Sequence, residues 1–594
     1  MERNTRVWLV AAVLAAVSCA GGGPGERSRA ATQEKPFPTR DELRKLGATP
    51  PPEQPAASVV RADAWDLAGP FPERIGEEPI SDPNAWEQLL VEAASQRAGL
   101  VVASQAMRCA AREFGRFQLE RGGAPDQSLH RFLLARCGAT GMRADAATLQ
   151  GDLALGSTDA AVLQQWREQA RGMIEEHLGT GARAVGIWFG RRGDHAFLML
   201  LSAERRVRID PASPLAGADG RIELRGEALT AAQTIEGFVN QGRSRVAQCE
   251  RDESLRPPRF ALRCPTEKGD ESAWIEAVVF PPGRVLGEIV LDVLSRPGGA
   301  QVTSYRRPRY GRSAPIASGE EFSKRLLVEL NRVREQADAP PLVFESKESE
   351  DAEKLAAPYF GAYLGTSDPS LGDVAALGLM AGWDVDGTIR EAGVGGALVA
   401  GTSDLEAWLA EALERPSVRS TLLDPKRSRL AVGPLVSPKD AYLAALVATY
   451  SVYGADDPAA QLAAFHAHLD REYAARSLPA PVRDADIAAL VARYVGLVQS
   501  GSRTPEAALR DLLAEVSARL HTQVQGWRLE GSSPEDVAFP DQLFAKDVRR
   551  IAAAVGYYQP PGSAWGRTLV FVVVLPEGSL RSVEREPRAE LGSS

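Results

Sequence analysis

Six histidines and five cysteines are the side chains here best suited to hold a metal or to attack a substrate. A neutral imidazole nitrogen or a thiolate binds zinc or copper, and neighbouring carboxylates balance the charge. The spacing of these residues argues against such a site. His466 and His468 stand two apart in a helical stretch, so they face different directions. His177 and His521 lie in polar helical stretches. His195 opens a strand behind Asp194, and a turn beside a strand explains that pair more simply than a catalytic dyad does. His130, next to Arg131, reads as a surface histidine ahead of a cleft residue. There is no Cys-x-x-Cys pair for zinc. No Gly-x-Ser-x-Gly elbow has the right flanks, and no phosphate-cradling glycine loop follows a strand. The acidic run Glu345 to Glu353 reads as a solvated helix start with at most weak affinity for calcium. The residues themselves therefore assign no catalytic group, no metal and no cofactor.

Cys19 has a different chemistry in view. A basic head, Glu2-Arg3-Asn4-Thr5-Arg6, precedes an apolar run from Val7 to Val17. As a helix that run rises only about 16 Å, against a bilayer core of about 30 Å. It is too short to span and suits the core of a signal peptide. Ala16-Val17-Ser18-Cys19 resembles the lipobox of bacterial lipoproteins, with Ala16 where Leu is usual. The resemblance implies cleavage before Cys19, lipidation of that cysteine and a membrane anchor in the bacterial cell envelope. No acidic residue directly follows Cys19, which favours the outer membrane over the inner. No later stretch reaches the eighteen apolar residues a span requires.

Cys109, Cys137, Cys249 and Cys264 remain, an even number in a chain expected to be exported. Three pairings are open, beside the alternative of buried free thiols. Cys109–Cys137 and Cys249–Cys264 are preferred because each stays inside one expected domain. The second closes a loop of about 15 residues, worth roughly 3 kcal/mol in a chain-entropy model.

The 594 residues are enough for about three to five domains. Hydrophobic residues are 44% and charged residues 25%, a globular balance. The net charge of −9 is spread along the chain with no basic patch, which argues against a nucleic-acid partner. The residues up to about 82 are rich in Pro, Gly and charge and are expected to be a flexible tether. Helical periodicity starts at Trp86, with Leu89, Leu90, Ala93 and Ala94 on one face. Ala184–Phe189 and His195–Leu201 flank Arg192-Gly193-Asp194 as a hairpin. Between about 205 and 312, short alternating runs such as Arg221-Ile222-Glu223-Leu224 and Trp274–Val279 predict a small β-sandwich.

A helix–turn–helix–strand unit then recurs. Its middle copy has Leu330-Asn331 and Arg334 on a helix, then Pro340-Pro341-Leu342. Val394-Gly395-Gly396-Ala397-Leu398-Val399-Ala400-Gly401 follows, then Pro416, Arg419, Leu422, Leu423 and Pro425 ahead of Leu430–Gly433. This order resembles the CAP superfamily, the SCP-like extracellular domain, over about 110 residues. Looser echoes run from about 84 to 204, around Leu149–Gly156 and Trp166, and from about 457 to 580. The resemblance implies an α+β fold of repeated α-β-α sandwich domains, plus the β-sandwich. The expected segments are a signal peptide (1–18), a tether (19–82), CAP-like domains (83–204, 313–456 and 457–580) around a β-sandwich (205–312), and a disordered tail (581–594).

CAP domains often hold a divalent metal between two histidines and two acidic residues. At the matching positions this chain has Val418 for the histidine and Gly396 for the glutamate. Neither has a side-chain lone pair, so the middle copy cannot form that site. The expected function is that of a membrane-anchored, non-catalytic lipoprotein with degenerate domains, which scaffolds or binds. Its expected partners are the membrane, an envelope protein, peptidoglycan or a small apolar ligand. The alternative is an envelope hydrolase or protease with an atypical cleft, for which His130, Glu113 and Glu120 would have to converge.

Overall fold

The computed structural model describes residues 16–17, 45–46 and 59–575, apart from short stretches of which 382–388 is the longest. Cys19, most of the signal segment, the tether as far as residue 58 apart from 45–46, and the tail at 581–594 lie outside the described residues. The chain parts into two compact units, with the boundary between Thr449 and Tyr450 and with Asp384–Glu391 assigned to the second. Three short strands come first: Ala16–Val17 (β1), Val59–Val60 (β2) and Ala64–Asp66 (β3).

In the first unit, Asn84 and Glu87 form a reciprocal cap on helix α1 (Ala85–Ser95). Strand β4 (Val101–Ala103) leads to α2 (Gln105–Arg121), capped by Ser104 and ended by Gly122 at φ +76°, a left-handed position that glycine fills without strain. Next come β5 (Ala124–Pro125), α3 (Gln127–Arg136, capped by Asp126), β6 (Ala144–Asp152) and α4 (Asp159–His177). The expected hairpin is β7 (Arg183–Arg192) and β8 (His195–Glu204), paired antiparallel around Gly193. The sheet order is β4-β7-β8-β6, with β4 parallel to β7. Alternate residues of β8 serve opposite faces. Phe197, Met199 and Leu201 pack with α2 and α3, while Leu198 and Leu200 pack with α1 and α4. Helices thus cover both faces of the sheet.

The following residues form two four-stranded antiparallel sheets. Their strands are β9 (Val207–Ile209), β10 (Arg221–Ala228), β11 (Thr234–Gln241), β12 (Arg245–Gln248), β13 (Glu250–Arg251), β14 (Arg259–Pro265), β15 (Ala273–Phe280) and β16 (Glu288–Ser295). The orders are β13-β14-β10-β9 and β12-β11-β15-β16, and one apolar core draws on both, including Leu224, Leu262, Val239 and Ile275. Strand β17 (Ser304–Arg306) then pairs with β3, placing Tyr305 opposite Trp65.

That pairing corrects the expected tether. From Val59 onward the segment is folded: β2 pairs with β5, and Trp65, Ile75 and Ile80 are buried. The composition is poor in apolar residues, but the few present are anchors. Trp65 alone packs edge-on against Phe117 at 5.0 Å.

The middle segment runs α5 (Gly319–Gln336), β18 (Val343–Phe344), α6 (Ser346–Leu364), α7 (Ser370–Ala381), β19 (Ile389–Ala400), α8 (Leu405–Glu414), α9 (Pro416–Leu423), β20 (Arg429–Ser437) and β21 (Tyr442–Val452). Its sheet order is β18-β20-β21-β19, with β18 parallel to β20 and β1 added at the edge of β19. In the second unit the elements are α10 (Pro458–Ala475), β22 (Val482–Arg483), α11 (Ala485–Gln499), α12 (Pro505–Leu520), β23 (Gln525–Gly531), β24 (Arg550–Tyr558) and β25 (Arg567–Leu575). The order there is β22-β24-β25-β23, with β22 parallel to β24. Alternate residues again divide between faces, with Leu569, Phe571 and Val573 on one and Val570 and Val572 on the other. Three sheets therefore share one strand order: a short parallel edge strand, the two strands of the final pair, and the strand that precedes them.

Two of these sheets hold a helix unusually close. A Cβ on Gly186 of β7 would lie 2.1 Å from the Met107 carbonyl oxygen of α2, and one on Gly433 of β20 would lie 2.1 Å from the Ala352 carbonyl oxygen of α6. At Gly556 of β24 the nearest atom is a side-chain methyl of Val495, 2.3 Å away. Backbone cannot yield as a side chain can. Gly433→Ala should therefore cost about 1–3 kcal/mol of unfolding free energy, and Gly556→Ala less. Gly172→Ala, in open space on α4, should be neutral or slightly stabilising. Denaturant unfolding of the three variants checks this order.

Candidate functional site

The residues carrying the family-like pattern are architectural. Arg334 of α5 is fully buried and donates to the carbonyls of Pro340 (2.8 Å), Leu422 (2.7 Å), Asp424 (3.1 Å) and Arg427 (2.8 Å). One guanidinium thus ties the first helix to the Pro-Pro turn and to the end of α9. Asn331 exchanges two hydrogen bonds with the backbone of Leu342. Trp408 donates its indole N–H to the Ala397 carbonyl at 2.7 Å, joining α8 to β19. A buried main-chain carbonyl needs a donor, and these three side chains supply donors where the chain changes direction.

The two positions where the family's ligands would stand are closed. Val418 on α9 has no exposed surface and packs in the module's own core with Leu330, Val333 and Trp408, while α9 as a whole also lies against β11, β12 and β15 of the neighbouring sheet. At Gly396 a Cβ would meet Phe360 Cζ at 3.0 Å, Tyr359 Cε1 at 3.1 Å and the Ala445 carbonyl at 3.1 Å. Aromatic rings occupy the direction in which a longer side chain would grow.

The segment that carries Val418 also gathers charge. Arg131 of α3 grips Asp292 of β16 with Nε and with Nη2 (2.9 Å), and its guanidinium lies 3.7 Å over the Trp274 ring. Arg415, at the N-terminal edge of α9, reaches Asp292 at 3.1 Å, Glu411 at 3.3 Å and Glu276 at 3.6 Å. Glu276 accepts from the Ser417 N–H at 2.9 Å and from its hydroxyl. Glu411 accepts from Gln127 (3.2 Å) and Ser128 (2.7 Å), both on α3. All these side chains are buried. Burial, with Asp292 close by, pushes the Glu276 carboxyl above its ordinary range. The junction joins the first module, the β-sandwich and the middle module through buried ions, with Asp292 paired to Arg131 of one neighbour and to Arg415 of the other.

The other sequence candidates are scattered. His130 is buried, not a surface residue: its ring sits edge-on against Phe114 at 4.6 Å, and neither nitrogen has a hydrogen-bond partner among the described residues. Burial, helped by Arg143, pushes its pKa down to about 3, so it stays neutral near pH 7. Glu113 is held by Arg112 (3.0 Å) and Arg116 (2.8 Å), while Glu120 is exposed. No hydrogen bond among the described residues joins either of them to His130. His195 meets Asp152 at 3.1 Å and not its neighbour Asp194. Among the described residues no group of three or more His, Cys, Asp or Glu is placed to hold a metal. Two disulfides are present. Cys109–Cys137 ties α2 to the end of α3, with Cα atoms 5.6 Å apart, and Cys249–Cys264 lies in the β-sandwich core. Sequence reasoning missed Arg131, Glu276, Asp292, Glu411 and Arg415. The only available signal was charge inside otherwise apolar strands, as in Trp274–Val279 and Ile289–Leu294.

Arg415→Met should lower unfolding free energy by about 3–5 kcal/mol, since it leaves buried carboxylates uncompensated; thermal and denaturant unfolding measure it. His130 gives a pH signature. Its folded pKa is depressed, so the unfolded state takes up protons first as pH falls below the ordinary value near 6.5. Stability is therefore lost on the acid side. His130→Leu should reduce the loss between pH 6.5 and 5 by about 2 kcal/mol, measured as unfolding free energy at the two pH values. An unchanged acid limb would count against a neutral, buried His130.

No family model matches the chain, and no curated protein matches it. Among solved structures it is similar to a cysteine-rich secretory protein from Staphylococcus aureus subsp. aureus Mu50, at 14% identity over 41% of this chain and 67% of that one, with a TM-score of 0.18. It is also similar to an extracellular protein containing a SCP domain from Bacillus anthracis str. Ames, at 12% identity over 41% of this chain and 88% of that one, with a TM-score of 0.17. Likeness this slight says nothing of what the chain binds. What stands by observation is a mixed α and β chain of several small sheets with two disulfides, in which no described helix is long and apolar enough to cross a membrane.

Proposed function

We propose that this chain is an exported, lipid-anchored envelope protein whose three CAP-like modules form a non-catalytic scaffold for binding. The observation that carries the reading is the closed cleft of the middle module. Val418 is buried in the module's own apolar core, and the space beyond Gly396 is filled by Tyr359 and Phe360. The residues that match the family pattern on α5, Asn331 and Arg334, hold backbone and face no cleft chemistry. The shared strand order supports three divergent copies of one unit. The partner would be an envelope protein, peptidoglycan or a small apolar ligand. The anchor would be Cys19, with the outer membrane as its site. Cleavage before Cys19 removes β1, a two-residue edge pairing, and leaves the four strands β18 to β21 of the middle sheet in place.

Two measurements test the reading. Cells fed radiolabelled palmitate should label the protein, and Cys19→Ala should abolish the label; an unlabelled wild type would remove the anchor. The protein purified from an oxidising compartment and offered zinc, copper, calcium and manganese should retain no stoichiometric ion after gel filtration. A stoichiometric, histidine-dependent zinc would overturn the non-catalytic reading. Deleting the β-sandwich is a poor test of binding, because it would strip Arg131 and Arg415 of Asp292 and Glu276 and unfold their neighbours.

A further inference from the structure

The first module carries a cleft of about 610 Å3, open to solvent, at the far end of α2. Its lining is Arg116, Leu119, Glu120 and Arg121 from α2 with Trp188, Arg191 and Arg192 from β7. Four guanidinium groups face one carboxylate there, in a chain whose net charge is −9. We propose that this cleft is a binding site for a phosphate ester.

The arginines divide into two kinds. Arg116 is fixed by Glu113 at 2.8 Å and Glu120 at 3.5 Å, and Arg191 by Asp159 and by the Ser157 carbonyl at 2.8 Å. Arg121 and Arg192 are exposed and have no carboxylate partner among the described residues; Arg192 only reaches the Glu120 carbonyl, at 3.4 Å. Their donors are free for a ligand. Arg116 and Arg121 also converge on one ring, lying 5.3 and 6.0 Å from the centroid of Trp65.

The floor is built, not incidental. Trp188 packs against two glycines, and a Cβ on Gly115 or on Gly190 would fall 2.1 Å from its ring. A side chain at either position would push the indole out into the cleft. The volume is in the range of small-ligand sites. Yet Leu119 and Trp188 are the only apolar residues in the lining, so an acyl chain or a drug-like apolar molecule would find little to bury against. Guanidinium forks match the oxygens of phosphate in paired hydrogen bonds. With Arg116 and Arg191 held by carboxylates, the two guanidinium groups left over, Arg121 and Arg192, suit a dianionic phosphate better than a single carboxylate. The site does not depend on the anchor or on the closed middle cleft, and it can fail while those readings stand.

The test uses the full chain carrying Cys19→Ala, so that no acyl group contributes. Inorganic pyrophosphate is titrated calorimetrically in phosphate-free buffer. One equivalent should bind, and Arg121→Gln with Arg192→Gln should weaken binding about tenfold or more, because charge-assisted pairs are the strong ones. Arg256→Gln with Arg259→Gln makes the same charge change on the exposed β-sandwich surface and should leave affinity unchanged. Flotation with phosphatidylglycerol and with phosphatidylcholine vesicles separates two sources of the ligand. Selective flotation with phosphatidylglycerol, competed by pyrophosphate, identifies a lipid headgroup. Pyrophosphate binding without selective flotation identifies a soluble phosphate ester. No binding by either probe, or equal loss in both double variants, overturns the proposal.

Discussion

Two guanidinium groups with no access to water decide how the first unit is put together. Arg131 and Arg415 are buried, and an unpaired buried ion costs several kcal/mol. Their carboxylates come from elsewhere: Asp292 and Glu276 from the β-sandwich, and Glu411 from the helix ahead of Arg415. Arg131 and Asp292 therefore lack their ion partners until the modules meet, while Arg415 keeps Glu411 within its own. Hydrophobic contact alone would tolerate small rotations between modules. A bidentate pair such as Arg131–Asp292 tolerates few, because it loses its second hydrogen bond when the planes tilt. The junction buys orientation more than stability.

The same geometry seats α9. Arg415 sits one residue before that helix, and its bonds to Asp292 and Glu276 hold the start of the helix against the β-sandwich. Val418, one turn on, is buried in the middle module's own core with Leu330, Val333 and Trp408. A histidine there would be enclosed by apolar side chains. One short helix thus serves the junction with its first residues and the module's core with the next.

Much of this was legible in the sequence. The β7–β8 hairpin announces itself by alternation around Arg192-Gly193-Asp194, and the strands at Ile551–Tyr557 and Thr568–Val574 by β-branched runs. The preferred cysteine pairing is the one present. What was not legible depends on contacts between distant segments. The segment around Trp65 reads as a polar tether because that residue's partner, Phe117, lies 52 residues on. His130 looked like a surface residue because Arg131 beside it advertises solvent, whereas that arginine points into an ionic core. Local composition cannot report a burial created by a neighbouring module.

The junction also sets a timetable. Arg131 bonds to a residue 161 positions later, and Ser128 to one 283 positions later. Contacts of that separation form slowly and late, since the chain between them must be ordered first. Helix α3 emerges from the ribosome long before its counter-ions exist. Until residue 292 has been made, the first module carries a cation without its carboxylate partner. Such an intermediate invites aggregation, so the chain's vulnerability lies in its biogenesis.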